Sequence, residues 1–217
     1  MRAFLNDPAV HAMYVERVQA HALADEIVQG KYWENGKGCA VGCTIHGAQH
    51  GKYETELGIP TELAHLQEAI FEWLPADEAK QFPLQFLQSI TIGADLSRVW
   101  DHFHVHLLLD AQDGLVAIPD MREDCKGWIR TIAILYQRSA SGATPSRQEQ
   151  DDAAWAARDA RAAMAAWAAR DAWDARAAWA AWDARAARDA RDAWDARIKR
   201  QRDVLLKLLR EASVPHE

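Results

Sequence analysis

Residues 120–136 read DMREDCKGWIRTIAILY, and this stretch sets the fold class. Met121, Cys125, Ile129, Ile132 and the Leu135/Tyr136 pair recur at three- and four-residue spacing, which gives a helix one continuous apolar face. Asp120 and Glu123 stand as a capping box at its start, one side chain capping and the other reaching back. The same period recurs on both sides. Upstream, Asp95 caps a segment in which Val99, Phe103 and Leu107 are four apart. Before it, Phe82, Phe86, Leu87 and Ile90 face one way, with Pro83 expected to break or kink the run that Asp77 opens. Ile59-Pro60-Thr61 opens another helix, whose apolar face is Leu63, Leu66, Ile70 and Leu74 and which Pro75 ends. Asp7-Pro8 starts the first helix, carried by Val10, Tyr14 and Val18 and stopped by Gly30. Asn35-Gly36 marks a turn. No alternating strand pattern occurs, and Leu115–Ile118 is the single strand candidate. The expected fold class is all-α: a compact bundle of about five helices over residues 1–138, a small-residue linker at 139–146, and one long Ala-rich helix over 147–212.

Charge divides the 217 residues unevenly. Residues 1–150 carry 12 basic and 20 acidic side chains, net −8, whereas 151–217 carry 13 and 12, net +1. An acidic body is a poor match for nucleic acid, which requires uncompensated Lys and Arg. No run of about 18 apolar residues exists to span a membrane. Three cysteines, an odd number, do not make a disulfide framework. Met1–Asp25 lacks the apolar run of a secretory signal, so a cytoplasmic protein with reduced thiols is expected.

From Trp155 to Ala196 the chain is fourteen unbroken triplets, with Trp, Arg or Met first and Ala last. Three residues turn a helix by about 300°, so the large side chains spiral round every face and make neither an amphipathic stripe nor a coiled-coil seam. Trp155, Trp167, Trp173, Trp179, Trp182 and Trp194 point to an interaction surface, and a homo-oligomer or a protein partner is the expected occupant. Ile198, Leu205, Leu208 and Leu209 then recover a normal apolar face, suited to docking or to dimerisation.

Chemistry-bearing residues concentrate in 36–56, GKGCAVGCTIHGAQHGKYETE. On one helix Cys39, Cys43, His46, His50 and Glu54 would fall within about 80° of one another. Two thiols and two imidazoles, Cys39, Cys43, His46 and His50, make a zinc-type donor set. On a straight helix, however, Cys39 and His50 lie about 16 Å apart, so a shared ion needs a bend, for which Gly42, Gly47 and Gly51 are available. Alternatively Cys39 or Cys43 is a nucleophile, His46 or His50 its base and Glu54 the orienting acid. A third reading is structural, with small residues allowing close packing. His102, His106 and Asp110 share a helical face that reads as polar surface more readily than as a metal pair. Cys125 reads as core.

The strings GKGCAVGCTIHGAQH, YETELGIP, LAHLQEAIFEWLP and FPLQFLQSITIGADLSRV, with the triplet tail, resemble a family of uncharacterised bacterial proteins over about residues 30–110 and 150–212. Tails in that family carry Tyr, Ser, Asp or Arg in the large slots, whereas this one carries Trp and Arg. The resemblance implies no fold, activity or cofactor, but singles out Lys37, Cys39, Cys43, His46, His50, Tyr53 and Glu54, with Lys37 and Tyr53 as ligand-binding candidates. The expected function is a non-enzymatic binding protein that recognises a ligand or metal, zinc by its donors, at Cys39–Glu54 and assembles through its tail. The thiol-dependent enzyme is the alternative.

Overall fold

The computed structural model describes residues 1–112, 114–118, 121–159 and 184–215. The chain is mainly α-helical. The Asp120 cap and most of the triplet repeat, 160–183, lie outside the described residues. Contacts divide the chain into two units, Met1–Trp100 with Ile198–Glu217, and Asp101–Arg197. Residues 139–146 fall within the second unit.

The first unit begins with a tight turn at Ala3–Asn6, in which Phe4, Leu5 and Asn6 are left-handed. Three such residues in succession are costly. They are held because Phe4 is fully buried and Ala3 exchanges backbone hydrogen bonds with Gly93 and Ala94. Helix α1, Pro8–Leu23, starts as its sequence dictates, with the Asp7 carboxylate accepting the Ala9 N–H at 2.8 Å. A two-stranded antiparallel ribbon follows, β1 (Trp33–Glu34) and β2 (Lys37–Gly38), joined through Asn35-Gly36. Both turn residues have positive φ, the geometry that this dipeptide favours in hairpins.

Four helices then build the core: α2 (Ala40–Ile45), α3 (Lys52–Leu57), α4 (Thr61–Trp73) and α5 (Ala76–Gln88). Pro83 sits inside α5 and the helix continues through it, with Phe82, Phe86 and Leu87 buried. Helix α6 (Val99–Leu109) straddles the two units.

The second unit holds the remainder of α6, a 3₁₀ turn at Leu115–Ala117, α7 (Glu123–Ala140) and α8 over 147–159. The 3₁₀ turn occupies the position of the strand candidate. Leu108, Ile129 and Ala133 form a small core, with Met121, Ile132 and Tyr136 packed against it. Ser146 and Glu149 make a reciprocal capping box for α8.

Helix α9, Ala184–Glu211, begins in the second unit and ends in the first. There Ile198, Leu205 and Leu209 are buried, and Lys199 and Arg202 both pair with Glu78. The Ser213 carbonyl accepts the Asp95 N–H, and Arg2 donates to the Pro215 carbonyl. The recovered apolar face at the chain's end therefore docks on the protein itself. No described helix is long and apolar enough to cross a membrane.

Candidate metal centre

The ribbon and α2 fix the first donor. The Tyr32 carbonyl lies so close to α2 that a Cβ on Gly42 would stand 1.5 Å from it, and one on Gly38 would stand 2.2 Å away. Both positions therefore need glycine because backbone meets backbone. Cys39 follows Gly38 as the N-cap of α2. Its N–H donates to the carbonyls of Lys31 and Tyr32, and its Sγ accepts the Gly42 N–H at 3.4 Å. The thiol donates to Glu68 Oε1 at 3.3 Å.

The five-residue polar stripe of a single helix does not form. His46, with φ 51° and ψ 51°, ends α2 in the left-handed conformation, and the chain turns through 47–51 before α3 starts. The bend removes the 16 Å separation expected of a straight helix. It brings His50 to the same carboxylate as Cys39, with His50 Nε2 against Glu68 Oε2.

Helix α4 supplies the remaining donors. His65, Glu68 and Glu72, at i, i+3 and i+7, share one face. The His65 ring stacks on His50 with centroids 4.0 Å apart, and the Tyr32 ring meets His50 edge-on. Glu72 Oε2 accepts the Gly30 N–H at 2.8 Å. Two sets of donor atoms result, His50–His65–Glu68 and Cys39–Glu68–Glu72, with the atoms of each within 4.8 Å of one another. Above them lies a pocket of about 400 Å³, lined by Lys31, Tyr32, His65, Glu68, Glu72 and Trp73.

Burial governs the local acid–base behaviour. It raises the Glu72 carboxyl, with the Gly30 N–H opposing and the Glu68 charge adding. Burial also pushes the Cys39 and Cys43 thiols up to about 12. That direction is opposite to the one that activates a nucleophile.

The other residues singled out from sequence lie elsewhere. Cys43 is fully buried and its thiol donates to the backbone carbonyls of Gly38 and Glu26. His46 stacks on Trp33 and pairs Nε2 to Nε2 with His21 at 2.8 Å, while Glu26 holds the other nitrogen of His21 at 2.6 Å. Glu54 accepts the Thr61 hydroxyl at the start of α4. Lys37 is exposed, reaching the Asp25 carbonyl at 3.5 Å. Tyr53 is fully buried and donates to Gln67, so its hydroxyl faces the core. In the second unit His106 pairs with Asp110 at 3.4 Å, and Cys125 is buried on α7.

Comparison with family models, with curated proteins and with solved structures finds no match. The chemistry of the site is therefore read from its side chains.

Sequence reasoning missed His65, Glu68 and Glu72. The sequence signal for them is His-x₂-Glu-x₃-Glu, which the apolar period of α4 does not reveal.

Proposed function

We propose that this protein binds a divalent transition-metal ion at Cys39, His50, His65, Glu68 and Glu72, and presents it to a small ligand in the pocket above. One observation carries the reading: five residues from three separate segments converge their donor atoms around Glu68. A thiol, two imidazoles and two carboxylates form a borderline donor set, which suits zinc best. Hydrogen bonds of the kind that orient metal ligands reach two of them, Gly42 N–H on Cys39 and Gly30 N–H on Glu72.

The test is metal content by native mass spectrometry on untagged protein purified without chelator, followed by cobalt substitution. Cobalt should produce a thiolate charge-transfer band that Cys39→Ser removes and Cys43→Ser keeps. Absence of bound metal, or a band that follows Cys43, would overturn the proposal.

Assembly through the triplet repeat is a separate proposal that rests on the sequence alone. Truncation at residue 147 is a poor test, because Ile198, Leu205 and Leu209 pack in the first unit. Replacing Trp167, Trp173, Trp179 and Trp182 by Ala should reduce an oligomer to the monomer mass. An unchanged mass would dismiss the idea.

A further inference from the structure

We propose that the centre holds two metal ions bridged by Glu68. The inference rests on the metal-site reading above and goes beyond it in stoichiometry and in the class of site.

The geometry of Glu68 comes first. Its two oxygens serve different donor sets: Oε1 faces Cys39 Sγ at 3.3 Å, and Oε2 faces His50 Nε2. A carboxylate with one oxygen toward each of two donor groups is placed to bridge ions roughly 3.5–4 Å apart. One ion would take Cys39, Glu68 and Glu72, and the other His50, His65 and Glu68. Each then has three protein ligands, the number found in open rather than closed zinc sites. His65, Glu68 and Glu72 line the pocket, so a ligand in it reaches both ions.

Zinc titration of the untagged full chain, read by native mass spectrometry, tests the inference. Two zinc ions per chain are expected at saturation. His65 is on the solvent side, so His65→Ala removes a ligand from one set without opening the core. It should lower the count to one and keep the Cys39-dependent cobalt band. Glu68→Gln should lose the second ion as well, because a neutral amide cannot replace the bridging charge. Cys43→Ser should still bind two. Saturation of the wild type at one zinc ion overturns the two-ion centre and leaves the metal-site proposal standing. No bound zinc overturns both. Two ions in His65→Ala would also overturn the assignment, since the second ion would then lie elsewhere.

Discussion

Cys39 and Cys43 stand four residues apart in one short motif, equally buried and with thiols equally raised, yet they meet different surroundings. Cys39 meets a carboxylate that also reaches a histidine, whereas Cys43 meets two backbone carbonyls. The histidines divide likewise. His50 joins α4 at Glu68, and His46 turns toward His21 and Trp33. What separates the halves is the partner each packs against. A thiol against carbonyls already paired as acceptors is core, and a thiol against a Glu/His/Glu face is a candidate ligand.

The sharpest way to break this contrast is the paired thiol substitution. Cys39→Ser should weaken zinc binding by more than about 100-fold, exceeding what loss of an outer contact costs. Cys43→Ser should leave it within about threefold, as a control at equal burial. A chelator-competition assay on both variants gives the comparison directly, and equal losses would erase the distinction.

The glycines divide in the same manner and affect stability. Gly42→Ala puts a methyl group into the Tyr32 carbonyl, and overpacking against backbone should cost about 3 kcal/mol. Gly47, where nothing lies within 4 Å of an added Cβ, should tolerate Ala within about 0.5 kcal/mol. Urea denaturation of the pair measures both, and a mild Gly42→Ala would mean that the ribbon does not clamp α2.

The smallest effect concerns His46. Burial, then the charges of Arg17, His21 and Lys52, hold its pKa below 6.5. The folded state therefore takes up the proton at lower pH than the unfolded state does. The resulting loss of stability begins as pH falls through the unfolded value and is complete below the folded one. His46→Gln should flatten that part of the stability–pH curve without changing zinc affinity. An unchanged curve would show that the His21–His46 pair carries no such linkage.

Much of the fold was legible because apolar residues recur at helical spacing in α1, α4, α5 and α7. The Asp7 and Ser146 caps also read true, since capping is local chemistry. The ribbon was visible only as its Asn35-Gly36 turn, because strands of two residues cannot show alternation. The spacing of Cys39, Cys43, His46, His50 and Glu54 was misleading. It matches a helix on paper, and the break falls at His46, a residue type that marks no break, rather than at one of the flanking glycines. The contributions of His65, Glu68 and Glu72 depend on how α4 packs against residues 15 to 42 positions earlier, which periodicity does not encode. The docking of Ile198, Leu205 and Leu209 was visible as an apolar face, but the surface that receives it was not.

Anomalous diffraction at the zinc edge, on crystals of untagged protein loaded with zinc, locates the ion most directly. A metal centre built on Glu68 predicts anomalous density between Cys39 Sγ, the His50 and His65 rings and the Glu68 and Glu72 carboxylates, with none at Cys43 or His46. Density at the His21–His46 pair alone, or no density near Glu68 at full loading, would contradict it.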